Sequence, residues 1–95
     1  MAKVVPSNDE LRMKNIETVE MALGCKGIAA KIGNNDLIDR AMEELISSIN
    51  KDGEVIREEG IYTALRILRV KDCSPEQINA LKKVIPNLKE FTKKR

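Results

Sequence analysis

The chain of 95 residues has no histidine and no tryptophan, and its only aromatic residues are Tyr62 and Phe91. Without histidine it lacks the side chain that most often acts as a general base near neutral pH. With so few aromatic residues, aliphatic side chains must build the core, which suits packed helices better than a small β-sandwich. These absences argue against an enzyme and favour an all-α fold.

Cysteine is also scarce, and Cys25 and Cys73 form no Cys-x-x-Cys pair that would indicate a metal site. Glycine-rich phosphate-binding motifs are missing as well. We therefore expect no catalytic residue, no metal and no cofactor. Two free thiols favour a reducing compartment, and we predict a cytoplasmic protein. No segment approaches the ~20 apolar residues of a membrane helix, so we expect no membrane association.

One apolar pattern occurs twice, at residues 36–49 and again at 75–88. Only helices place side chains with this spacing on one face. The length suits one domain. We predict a single all-α domain over 8–95, a compact bundle or short stack of four to five helices, after a flexible arm at 1–7. The matching positions pair Ala41 with Ala80, Met42 with Leu81, Leu45 with Val84, Ile46 with Ile85, and Ile49 with Leu88.

Local signals predict where the long helices begin and end. Residues 34–36 can cap a helix that ends near Asn50. Ser74 precedes a proline and lies three residues before Gln77, which predicts a capping box at the start of the last helix. Pro86 should interrupt that helix, because proline has no amide hydrogen to donate.

Residues 54–70 allow two interpretations. One is a pair of strands, 54–57 and 61–70, with a turn at Gly60. The other is a helix, with the glycine inside it at a cost of about 1 kcal/mol relative to alanine. Strict alternation fails in the second half, so we predict the helix. Its shared apolar face would consist of Ile56, Ile61, Ala64, Leu65 and Leu68.

Residues 36–92 resemble armadillo/HEAT-type helical repeats, whose period of roughly 40 is close to the spacing of the two apolar segments. The resemblance rests on an apolar residue, an acid, a glycine and two later leucines: Ile56, Glu58, Gly60, Leu65 and Leu68. A next repeat would open at Ser74 and carry the small–large pair Ala80 and Leu81. The resemblance implies that the helix at 54–70 lines a concave surface that binds protein. Thr63 departs from the family, which often has proline there.

Charge is distributed unevenly, because residues 36–59 carry eight acids and three bases, whereas 82–95 carry six bases and one acid. A basic stretch suits an acidic partner. Tyrosine and arginine are residues that interfaces favour. We therefore predict two partner-binding faces, one formed by Tyr62, Arg66 and Arg69 and the other by Lys82, Lys83, Lys89 and Lys93. The expected function is a non-enzymatic protein–protein interaction module or small regulatory adaptor.

Two alternatives stay open. The wide apolar stripe of 37–49 could be completed by a second copy, which would make a homo-oligomer. Residues 28–45 could instead form a DNA-binding helix-turn-helix, with a β-wing at 54–62. The second helix of that motif carries four acids, which repel phosphates, so nucleic-acid binding is the less favoured interpretation.

Overall fold

The computed structural model describes residues 8–90, and within that range the chain forms five α-helices and one 3₁₀ turn. The elements are α1 (Asn8–Leu23), α2 (Ile28–Ile32), α3 (Asn35–Ser47), α4 (Glu58–Ile67), α5 (Pro75–Val84) and the 3₁₀ turn (Ile85–Asn87). Across this range the only extended pairing is an isolated bridge between Ile49 and Val55. The predicted all-α fold is confirmed. None of these helices combines the length and apolar character needed to cross a bilayer. The predicted arm, residues 1–7, lies outside the described part of the chain.

The predicted helix starts agree with the caps, whereas α3 ends at Ser47, three residues before the predicted end near Asn50. The Asn34 side chain accepts a hydrogen bond from the Leu37 amide at 3.2 Å and caps α3. The Ser74 hydroxyl accepts from the Gln77 amide at 3.1 Å, and the Gln77 side chain accepts from the Ser74 amide at 2.7 Å. This reciprocal pair is the predicted capping box. At Pro86 the α-helix has given way to the 3₁₀ turn.

Helix α4 begins at Glu58, so the prediction of a continuous helix from 54 was wrong. Asn50 explains the later start, because its side-chain oxygen accepts the amides of Asp52 and Glu54, each at 2.9 Å. This turn leads into the Ile49–Val55 bridge, and the Ile56 amide then donates to the Ser48 carbonyl at 2.7 Å. Ile56 is 60% exposed, so it does not belong to the core, contrary to the prediction. The strand interpretation was also wrong, since 61–67 are helical.

The helices pack mainly as two pairs, α3 with α4 and α1 with α5, whereas α4 and α5 make little direct contact with each other. The core between the pairs is aliphatic. Its most deeply buried members include Val19, Leu23, Ala41, Met42, Leu45, Ile61, Ala64, Leu68 and Leu81. Arg12 on α1 adds a bidentate link to α3 by donating to both carboxylate oxygens of Asp39, at 2.6 and 2.8 Å.

A buried asparagine ties the end of the described chain to the first helix. The Asn15 side chain is 1% exposed. Its amide nitrogen donates to the Lys89 carbonyl at 2.9 Å, and its amide oxygen accepts from the Lys89 amide at 2.8 Å. One side chain therefore satisfies both backbone groups of a residue 74 positions away.

We predict that Asn15→Ala lowers the free energy of unfolding by about 2 kcal/mol, because it leaves two backbone groups without their partner. Urea denaturation measures the loss, and hydrogen exchange should show weaker protection of the Lys89 amide. Asn87→Ala, at an exposed site in the same segment, is the control and should change stability by less than about 0.5 kcal/mol. An unchanged Lys89 exchange rate would contradict the assigned contact.

Gly60 lies where α4 packs against the C-terminal end of α3. A Cβ at this position would clash with the Ser48 hydroxyl and lie 2.9 Å from the Glu44 carbonyl oxygen, a backbone atom. The glycine is therefore required by packing, although alanine is the better helix former.

We predict that Gly60→Ala destabilises the protein by about 1–3 kcal/mol, the usual cost of overpacking. Thermal or urea unfolding measures the change. Glu59→Ala, one position earlier at an exposed site in α4, is the matched control with an expected effect of about 0.5 kcal/mol. A stabilised Gly60→Ala protein would show that α3 and α4 do not approach this closely.

Candidate partner-binding groove

A groove of about 670 Å³ lies between α4 and α5, and we call it the α4–α5 groove. The two helices are antiparallel, because Lys82 near the end of α5 donates a hydrogen bond at 2.8 Å to Glu58 at the start of α4. The loop that connects the helices contributes residues 70–73 to the lining. The groove therefore runs along a seam that is joined at both ends and open between them.

The two walls of the groove are built differently. On the α5 side, positions 75, 78, 79 and 82 are i, i+3, i+4 and i+7 of one helix and share one face. On the other side, positions 62, 65 and 66 belong to α4, whereas Arg69 follows the end of that helix in the left-handed conformation. The α5 wall therefore offers two turns to an occupant, and the α4 wall offers about one turn and the residues that end the helix.

The groove combines an apolar floor with a basic rim. Apolar or weakly polar side chains are supplied by Leu65, Val70, Cys73, Pro75 and Ile78. The charged lining residues are Arg66, Arg69, Lys71 and Lys82, against Asp72 as the one acid. Tyr62 also lines the groove and is 49% exposed. The lining suits a ligand that is partly apolar and negatively charged.

Arg69 has a backbone conformation that normally selects glycine. Its φ is +60°, in the left-handed region. The Arg69 amide donates to the Arg66 carbonyl at 3.1 Å, and the Val70 amide donates to the Leu65 carbonyl at 3.0 Å. These two bonds form a Schellman motif, which ends α4 and most often has glycine at the position of Arg69. The chain therefore keeps a charged rim residue where glycine would relieve strain.

Two titratable side chains in the groove, Lys82 and Cys73, have raised pKa values. The hydrogen bond from Lys82 to Glu58 raises the pKa of the lysine above its ordinary value, which favours its charged form. Burial raises the pKa of the Cys73 thiol, and burial also raises the pKa of Cys25. A thiol with a raised pKa is a poor nucleophile at neutral pH, because little thiolate is present. Both cysteines are free.

The structure brings together four of the seven predicted partner-binding residues. Tyr62, Arg66, Arg69 and Lys82 all line the α4–α5 groove, so the two predicted faces meet across the seam. Lys83 is exposed on α5 but does not line the groove. The remaining two are elsewhere: Lys89 lies beside Glu43, Glu44 and Glu90 at a second depression, and Lys93 is outside the described residues.

Sequence reasoning missed Lys71, which also lines the groove. The run Arg69-Val70-Lys71 carried a signal, because two bases flank an apolar residue just beyond a helix. Their convergence with Lys82 had no local signal, since it depends on the antiparallel arrangement of α4 and α5.

The residues of the hypothesised helix-turn-helix form two helices, α2 and α3, which are separated by a two-residue turn at 33–34. The β-wing expected at 54–62 is not formed. Residues 58–62 belong to α4, and Val55 only forms the isolated bridge to Ile49. The exposed face of α3 carries Asp36 and Glu43 with Arg40 between them, which gives no basic surface for phosphates.

Among residues 8–90 no three acidic or cysteine side chains are grouped so that they could hold a metal ion. Comparisons of the chain with protein-family models, curated protein sequences and solved structures find no match.

We predict that Arg69→Gly raises the free energy of unfolding by about 1 kcal/mol, because glycine adopts a positive φ without the steric cost that other residues bear. Urea denaturation measures the gain. Arg69→Ala removes the same charge but keeps the steric cost, so it should give no comparable gain. Equal stabilities of the two variants would contradict the left-handed conformation at this position.

Proposed function

We propose that the protein is a non-enzymatic interaction module or small regulatory adaptor that binds an acidic segment of another protein in the α4–α5 groove. The observation that carries the proposal is the convergence of Arg66, Arg69, Lys71 and Lys82 around an apolar floor. Apolar contact supplies affinity, and complementary charge supplies orientation and a faster encounter. Tyr62 at the rim is the best candidate for a binding hot spot, because tyrosine and arginine dominate such positions.

The armadillo/HEAT resemblance remains a prediction, and one feature supports it. The helix that the resemblance assigns to the binding surface corresponds to α4, which forms one wall of the groove. The cytoplasmic location is likewise a prediction, supported by the two free thiols.

Capture of partners from a lysate of the source organism, followed by titration of each captured protein, tests the proposal. Arg66→Glu combined with Arg69→Glu should weaken binding about tenfold or more, because repulsion replaces attraction at the rim. Lys83→Glu is the matched control, since it reverses a charge on α5 outside the groove, and binding should stay within about twofold. A partner that binds the wild-type protein, the Arg66→Glu/Arg69→Glu variant and the Lys83→Glu variant equally would refute the groove as the docking site.

A DNA gel shift at low salt tests the alternative function, which is binding of nucleic acid. The helix-turn-helix arrangement of α2 and α3 is the observation in its favour. We expect no shift of a random duplex, because acids dominate the exposed face of α3. A shift that weakens steeply with salt would instead support a nucleic-acid-binding regulator.

A further inference from the structure

We propose that the occupant of the α4–α5 groove is an acidic amphipathic helix of the partner, with about two of its turns lying along the seam. This inference rests on the proposed function and adds the conformation of the bound segment. The shape of the seam, the helical backbone of its walls and the charge of the rim support it.

The open space between α4 and α5 has a shape that an additional helix could fill. Helix α4 packs on α3 and α5 packs on α1, whereas the backbones of α4 and α5 stay apart and the two helices are joined by the Lys82–Glu58 hydrogen bond. The α5 wall runs from i to i+7, which corresponds to about 10 Å along a helix axis, and the helical part of the α4 wall, positions 62 to 66, covers about 6 Å. Two helices held apart in this way form a trough in which a third helix can pack by ridge-and-groove contacts. Apolar residues at i, i+3 or i+4, and i+7 of the occupant would meet the floor.

The walls disfavour an extended peptide. A strand that binds by augmentation needs a row of unpaired backbone N–H and C=O groups on the protein. Both long walls here are α-helices, whose backbone groups bond within the helix. The loop residues that line the closed end supply too short a backbone stretch to replace a sheet edge. A helix has its own backbone satisfied and needs only side-chain contacts.

The charge of the groove lining indicates which kind of helix would bind there. Four bases and one acid line the groove, and the lining stays basic even when Lys82 is counted with its partner Glu58, so an occupant with acids beside its apolar stripe is favoured. The chain's own ends do not fit this description. Residues 1–7 and 91–95 contain Lys3, Lys93, Lys94 and Arg95 but no aspartate or glutamate. The basic rim therefore repels residues 1–7 and 91–95, and an acidic helix of a partner protein is the better occupant.

A second copy of the chain is the main competing source. The outward face of α1 presents Met13, Glu17 and Met21 at intervals of four residues, and the methionines are 55% and 84% exposed. This stripe is apolar and lies near Asp9 and Glu10 as well as Glu17, but the exposed Lys14 beside Met13 would meet the basic rim, a repulsion that a foreign acidic helix does not carry. The foreign helix is therefore favoured, and self-association becomes an outcome of the test.

The test uses three fluorescein-labelled peptides of 15 residues, titrated by anisotropy. The first has leucines at i, i+3 and i+7 and glutamates elsewhere on a helix-forming background. The second has the same composition, permuted so that the leucines share no face. The third is the first with a central proline, which breaks the helix. The first should bind at least about tenfold more tightly than the other two.

Protein variants show whether binding occurs in the groove. Binding of the first peptide should weaken at least about tenfold with Arg66→Glu/Arg69→Glu and with Tyr62→Ala, since both remove rim contacts. Lys83→Glu should leave it unchanged. Circular dichroism of each variant confirms that the helices persist.

The outcomes are distinguishable. Equal binding of all three acidic peptides, still lost with Arg66→Glu/Arg69→Glu, would overturn the helical occupant and leave the proposed function intact. Failure of every acidic peptide to bind would overturn both. Sedimentation equilibrium of the chain alone should show a monomer at all concentrations. Self-association that Arg66→Glu/Arg69→Glu abolishes would assign the groove to a second copy and overturn the foreign helix.

Discussion

The close approach of α4 to α3 is the constraint on which the described structure depends. Gly60 permits it, since any larger residue would meet the Ser48 hydroxyl and the Glu44 carbonyl. Ser48 reinforces it, because its carbonyl accepts the amides of Ile56 and Arg57 at 2.7 and 3.2 Å and so anchors the chain just before α4. With α4 held on α3 and α5 held on α1, the two helices stay apart. The groove is thus a consequence of where the tight packing occurs.

Local features of the fold could be predicted from the sequence because each depends on neighbouring residues. The Ser74–Gln77 capping box and the interruption at Pro86 are examples, since each uses side chains within a few positions. The start of α4 could not be predicted, because the conformation of residues 54–57 depends on the Asn50 side chain and on the carbonyl of Ser48. Asn15 had no signal at all, since its partner lies at the far end of the described chain.

The same distinction holds for the candidate site. Tyr62, Arg66 and Arg69 could be grouped because they lie on consecutive turns around one helix end. Lys82, Lys83 and Lys89 were grouped by sequence proximity, but the turn of α5 and the 3₁₀ segment direct them to different places. The repeated apolar pattern shows a related limit. Leu45 is buried and its counterpart Val84 is half-buried, because the two helices pack in different surroundings.

The position of Cys73 gives the groove a built-in attachment point. Its half-buried sulfur lies in the lining near the closed end, away from the Glu58–Lys82 pair at the other end. A small fluorophore or spin label attached there, in a protein whose Cys25 has been replaced, would report the filling of the seam without removing a basic residue. The raised pKa of Cys73 implies that such labelling proceeds faster at alkaline pH than at neutrality.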